Sequence, residues 1–197
     1  MYRKDKKDEF YTRKAREEKY PARSVYKLKE IDDKYKLIKK GDRVLDLGAA
    51  PGSWMFYISQ QVGEKGEVVG VDIGDLKISL ASNMIFMRKD IVDLEVEKFI
   101  EPGKQFDLVL SDLAPKTTGI KSVDATNSLL LCDKALAIAK LVLKKGGSFV
   151  CKIFEGNMTD KFFKEIKKEF KFAKAFRPEA VLKGSKEIYI IGIGYGQ

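Results

Sequence analysis

The sequence predicts a single α/β domain: a mainly parallel sheet of seven strands with helices on both faces. Three observations carry that expectation. Short apolar runs alternate with segments of helical periodicity along most of the 197 residues. The first run, Arg43-Val44-Leu45, passes through Asp46-Leu47-Gly48-Ala49-Ala50-Pro51-Gly52-Ser53-Trp54 into a helical stretch, a strand–turn–helix built on small residues. Charged residues then stand at or near the ends of later runs, at Asp72, Asp90, Asp112 and Lys152. The carboxyl ends of strands are where open parallel sheets bind ligands.

Taken in order, residues 1–20 alternate basic, acidic and aromatic residues without an apolar stripe. They read as a basic N-terminal arm, mobile or loosely helical, ahead of one domain spanning residues 21–197. Ser24 is placed to N-cap a helix in which Val25, Leu28, Ile31 and Tyr35 share a face. Residues 39–42 turn into the first strand, and residues 55–62 form the helix after it. Strands are expected at residues 67–72, 83–87, 106–112, 148–154, 172–176 and 188–193. Helices are expected at 92–99, 124–143 and 160–170, with residues 144–147 stopping the second of these. The segment 113–119 reads as an irregular loop. No internal repeat or long linker divides the body.

Composition narrows the chemistry. No apolar run approaches the roughly 20 residues of a membrane span, and residues 1–6 have no apolar core of a signal peptide. The chain contains no histidine, which excludes Ser-His-Asp and Cys-His nucleophilic sites and histidine-ligated zinc. Two cysteines, Cys132 and Cys151, are too few for a disulfide framework or a thiolate zinc site and read as buried thiols in a reducing compartment. Acid–base chemistry therefore falls to Lys, Asp, Glu, Tyr or Cys. The net charge is +9, and residues 1–43 hold 16 Lys/Arg against 9 Asp/Glu. A basic head on a near-neutral body fits a polyanion such as nucleic acid, or is simply a solvated Lys-rich terminus.

The turn 46–54 lacks the G-x-G-x-x-G spacing of a dinucleotide site. Its glycines allow close approach of backbone, the helix start offers N–H groups, Pro51 stiffens the turn, and Trp54 is expected to present an aromatic face at the mouth. A ligand with adenine and ribose but no phosphates suits it, and S-adenosylmethionine (SAM) is such a ligand. Asp72 lies 20 residues after Gly52, the spacing of an acid that takes ribose hydroxyls, although a loop-capping role fits the same position. Asp90 either accepts from an adenine amino group or caps the following helix. Lys152 interrupts an apolar strand, which costs stability unless the lysine is paired or lines a pocket. Asp112 is its expected partner, and Glu187 opens the last strand.

The segments 23–31, 46–54, 111–119, 150–156 and 185–190 resemble, in order, the motifs of the RrmJ/FtsJ family of SAM-dependent ribosomal RNA 2′-O-ribose methyltransferases. The resemblance runs over nearly the whole chain. It implies a Rossmann-like SAM-dependent methyltransferase fold and a catalytic tetrad at Lys27, Asp112, Lys152 and Glu187. It also implies cofactor contacts at Gly52, Trp54, Asp72, Asp90 and Asp112, and no metal. It further implies ribosomal RNA as partner, within the large subunit, and a cytoplasmic monomer that engages no membrane. Ser53 and Lys116 depart from the family pattern, where the bacterial rRNA enzymes carry glycine and asparagine. Lys152 would act either as a base or as a charged group that orients and stabilises the ribose oxygen. Methylation of tRNA, a SAM-dependent reaction on another substrate class, and a non-catalytic RNA-binding module are the competing functions.

Overall fold

The computed structural model describes residues 6–94 and 104–197. Two helices, α1 (Lys6–Glu17) and α2 (Val25–Tyr35), precede β1 (Arg43–Leu47) and α3 (Ser53–Val62). Then come β2 (Glu67–Asp72), β3 (Met84–Arg88), β4 (Phe106–Ser111) and α4 (Lys121–Val142). The chain closes with β5 (Leu143–Phe154), α5 (Thr159–Glu169), β6 (Phe170–Phe176) and β7 (Glu187–Tyr195). The seven strands make one sheet in the order β3-β2-β1-β4-β5-β7-β6. The first five are mutually parallel, and β7 enters antiparallel to both neighbours. The carboxyl ends of β1 to β5 and the amino end of β7 therefore share one edge.

β1, β2 and β4 are buried along nearly their whole length, as strands covered on both faces must be. Side chains alternate between two cores. Val44, Leu108, Leu110, Val150 and Tyr189 pack with α2 and α3, whereas Leu45, Val109, Phe149, Cys151 and Ile190 pack with α4 and α5. That alternation sends Lys152 toward α2 and Ile153 toward α4. Gly70 lets α3 settle on the sheet, since a Cβ there would lie 2.3 Å from Met55 Sδ.

Several expectations change in detail. Residues 144–147 do not separate helix from strand. β5 starts at Leu143, and pairing with β4 jumps from Phe106↔Leu143 to Leu108↔Ser148, so the intervening residues form an irregularity within the strand. Gly146, at φ +85°, takes a conformation that L side chains rarely adopt. Ser24 does not cap α2: its backbone is already helical and its side chain makes no capping bond. The helix expected at 92–99 falls largely outside the described residues, and residues 92–93 form a turn.

Within the described part of the N-terminal segment, residues 6–20, the chain is not loose. α1 docks on α2 with Ala15 and Tyr20 buried. Tyr11 hydroxyl donates to Glu30 at 3.5 Å, Arg23 pairs with Asp8 at 2.7 Å, and the Lys29 ammonium bonds Glu18 and lies 4.5 Å from the Tyr20 ring centroid. Exposed ion pairs each contribute only about 0–1 kcal/mol, so aromatic and alanine burial is what holds this helix. Its apolar positions are too few and too interleaved with charge to show as a stripe.

Candidate active site

The cradle between β1 and α3 is shaped by backbone. Gly48 has φ +86°, and a Cβ there would press on Leu113 at 3.1 Å. Gly52 has φ +105°, and its Cβ would meet Ile78 at 2.7 Å. Asp72, the last residue of β2, accepts the Ala50 N–H at 2.9 Å through one oxygen and the Gly74 N–H at 2.7 Å through the other. The carboxylate thus pins the cradle in place, and each oxygen keeps acceptor capacity for a ligand. Asp90 similarly receives the Val92 N–H at 2.9 Å. Both acids line a cavity of about 420 Å³, together with Leu113, Lys116, Leu130 and Lys134.

Gly52, Trp54 and Asp112 do not line that cavity. Trp54 corrects the sequence reading most clearly. Its indole is 3% exposed, donates its N–H to the Ser24 carbonyl at 2.9 Å, and lies tilted on Tyr189 with ring centroids 6.1 Å apart. It wedges α2 against the sheet and presents no aromatic face at the mouth. What residues 53 and 54 offer a ligand is the first turn of α3, where helices hold unpaired N–H groups.

The four residues of the expected tetrad do converge. Asp112 follows β4, and its N–H bonds the Leu47 carbonyl at 3.1 Å, which seats it over the end of β1. Lys152 donates to the Asp112 carbonyl at 2.6 Å and lies 3.1 Å from its carboxylate. Lys27, on α2, pairs with Glu187 at 2.5 Å. All four side chains are between 7% and 16% exposed. Pairing of β5 with β7 sets Lys152 opposite Tyr189 and Phe154 opposite Glu187. Lys152 is anchored at its backbone as well: the Cys132 and Cys151 thiols donate to its carbonyl at 3.1 and 3.5 Å.

Two further residues belong to the cluster and escaped the sequence reading. Tyr189 donates its hydroxyl to the Asp112 carboxylate at 2.7 Å. Burial, then the charges of Asp112 and Glu187, push the Tyr189 pKa up, so the hydroxyl stays protonated. Burial also works against ionisation of Asp112, but the Lys152 and Lys27 charges and the Tyr189 hydrogen bond outweigh it and hold its pKa below the usual value. Asp46 is fully buried with both carboxylate oxygens unpartnered. Burial, then Asp112 and Asp72, raise its pKa well above the ordinary range. An acid inside the apolar run of β1 is the same kind of signal as Lys152 and was open to the same argument. Tyr189 gave less warning, because a tyrosine in an apolar strand reads as core.

A doubly covered parallel sheet, a ligand cavity between the ends of β2 and β4, and a buried lysine–carboxylate cluster beside it define a SAM-dependent methyltransferase of the Rossmann-like class. The chain belongs to the FtsJ-like methyltransferase family, whose sequence model matches residues 20–195. It is 50% identical over 182 residues to the ribosomal RNA large subunit methyltransferase E of Desulfatibacillum aliphaticivorans, covering 92% of this chain and 88% of that one. The enzyme of the same name from Bdellovibrio bacteriovorus is 48% identical over 186 residues, covering 93% and 94%. A crystal structure described as a ribosomal RNA methyltransferase of Plasmodium falciparum superposes with a TM-score of 0.78 at 27% identity, covering 89% of this chain and 98% of that one. Among the described residues, no helix is long and apolar enough to cross a membrane.

Proposed function

We propose that this protein methylates a ribose 2′-hydroxyl of large-subunit ribosomal RNA, acting as a monomer in the cytoplasm. The observation that carries the reading is the clamp of Lys152 on both the carbonyl and the carboxylate of Asp112 at the sheet's carboxyl edge. The names of the similar enzymes support the substrate. The residues present fit SAM: Asp72 and Asp90 would hold the ribose and the adenine amino group in the cavity they line. Gly52, the first turn of α3 at Trp54, and Asp112 would hold its methionine end. Bound there, SAM supplies a methyl group on a sulfonium, an electrophile without phosphates.

The protein's own groups act on the hydroxyl. Lys152 faces the reacting oxygen and either, as the neutral amine after giving up its own proton to solvent, takes the hydroxyl proton as the C–O bond forms, or, as the ammonium, stabilises the developing negative charge. Asp112 and Tyr189 fix the lysine's position, while Lys27 and Glu187 close the far side of the cluster. Holding the oxygen in line with the methyl group supplies much of the rate. The basic segment 1–20 would add phosphate contacts through residues such as Arg16 and Lys19, which are exposed on and just after α1.

The test is transfer of labelled methyl from SAM to ribosomal particles and to naked rRNA and tRNA, followed by mapping of 2′-O-methyl sites. One site in large-subunit rRNA is expected. A 2′-deoxy sugar at that site should bind and not react. Methyl transfer to the deoxy substrate, or to tRNA in preference to rRNA, would overturn the assignment.

A further inference from the structure

A second cavity, of about 460 Å³, takes no part in methyl transfer as described. That volume lies in the range of small-ligand sites. Its floor is Ile153 and Phe154, the two residues that follow Lys152. One wall is the first turns of α4, the other is the β5–α5 loop, and Lys186, the residue before Glu187, stands at the rim. The lining therefore continues directly from two members of the catalytic cluster. α4 divides this cavity from the cofactor cavity: Ala125, Thr126 and Leu129 face one, and Asn127, Leu130 and Lys134 face the other.

The lining is apolar at Ala125, Leu129 and Met158, with the neutral polar side chains of Ser122 and Asn157 among them and the Thr126 hydroxyl, which donates to the Ser122 carbonyl at 3.0 Å and keeps acceptor capacity. Lys121 and Lys186 are exposed beside it. The carboxylate of Glu155 is engaged by Arg177 at 3.4 Å, and the Glu155 N–H bonds the Lys186 carbonyl at 2.8 Å, which braces the rim. Close approach sets the width, since a Cβ on Gly156 would lie 2.8 Å from that of Ala125. Apolar walls, neutral hydrogen-bonding groups and cations at the rim suit an uncharged heteroaromatic ring carried on a phosphate chain.

The position says which ring. Lys152 points toward α2, whereas Ile153 and the cavity lie on the α4 side of β5. The 2′-oxygen and the base of one nucleotide are carried on adjacent carbons of one sugar, so the target's own base starts on the Lys152 side. Reaching the α4 side takes a further backbone unit. The geometry points to a pocket for the base of the nucleotide next to the methylated one, extruded from its stack, an inference that rests on the ribose-methylation reading. Unstacked bases of single strands and loops are what proteins read in RNA, and a base held here would set the strand's register on Lys152.

The experiment begins with the wild-type protein and the mapped target. 2-Aminopurine is placed on either side of the target nucleotide in an RNA fragment, where its fluorescence rises when it leaves the stack. A rise is expected at one of the two neighbours, and its loss is expected in Ala125→Phe, which fills the cavity. That variant should keep its SAM affinity by calorimetry and lose about tenfold in kcat/KM for RNA through KM, the size of one base-stacking contact. An abasic neighbour should cost the wild type a similar factor and the variant nothing more. If Ala125→Phe does not fold, the loop pair Asn157→Ala and Met158→Ala should shift KM in the same direction. No rise at either neighbour, or a folded cavity variant with normal kcat/KM, overturns the pocket. Failure of the wild type to methylate ribose is seen earlier, before any variant is made, and removes both readings.

Discussion

The two halves of the carboxyl edge are built differently. On the β1–β3 side, the half proposed to hold the cofactor is made by backbone: two left-handed glycines, the first turn of α3, and a carboxylate, Asp72, held by main-chain N–H groups. On the β4–β5–β7 side, the half proposed to carry the reaction is made by side chains drawn from four distant segments, at residues 27, 112, 152 and 187, packed into mutual ion pairs. A site made of backbone loses one contact when a side chain is removed. A site made of paired buried charges loses a contact and leaves the partner unsatisfied. Single substitutions should therefore separate the halves by the size and kind of their effects.

The largest effect is expected at Lys152. Lys152→Ala should lower turnover by about 10²–10⁴-fold, the range of a positioned acid–base group, with SAM affinity retained. Lys152→Arg sharpens the result: arginine keeps the charge but cannot give up its proton. Activity in that variant assigns electrostatic stabilisation, and its absence favours the base. Asp112→Ala comes next and should fail in stability as well as turnover, by about 3–5 kcal/mol in denaturant unfolding, because Lys152 keeps the main-chain carbonyl but is left buried without its counter-charge, and Tyr189 loses its acceptor. If Asp112→Ala unfolds like the wild type, the contrast between the halves breaks.

On the cofactor side, Asp72→Ala should weaken SAM in calorimetry with a smaller loss of stability, since its partners are main-chain N–H groups near solvent. Asp46 gives a prediction of opposite sign to Asp112. Its raised pKa means that the folded state favours the protonated acid, so burying it is penalised progressively as pH rises above about 4, the unfolded value. The depressed pKa of Asp112 makes its contribution full above about 4 and lost as pH falls through its lower folded value. Asp46→Asn should hence match the wild type in stability near pH 4 and exceed it at pH 8. The smallest effect is expected at α1: Arg16→Glu with Lys19→Glu should weaken RNA binding and reduce its salt slope by about 2, with turnover at saturating RNA unchanged.

The chain order of strands and helices was open to sequence reading because burial on both faces writes continuous apolar runs, and amphipathic helices write a 3.6-residue period. Zero histidines, the small-residue turn 46–54 and the charged residues at strand ends likewise belong to the sequence alone; they narrow the ligand and the acid–base groups, and the resemblance of five motifs to a family supplied the class of chemistry. The tertiary structure decided what depends on which side chains face each other. Trp54 is a wedge under Ser24 and Tyr189 because α2 lies across α3, and no local pattern encodes that contact. Tyr189 joins Asp112 because the register of β7 on β5 sets it opposite Lys152, and a shift of one residue would turn it to the other core. α1 is ordered because Ala15 and Tyr20 find α2, although their own segment shows no apolar face. Local propensity and periodicity act within a few residues, whereas pairing register and packing act between segments as many as 160 positions apart, as between Lys27 and Glu187.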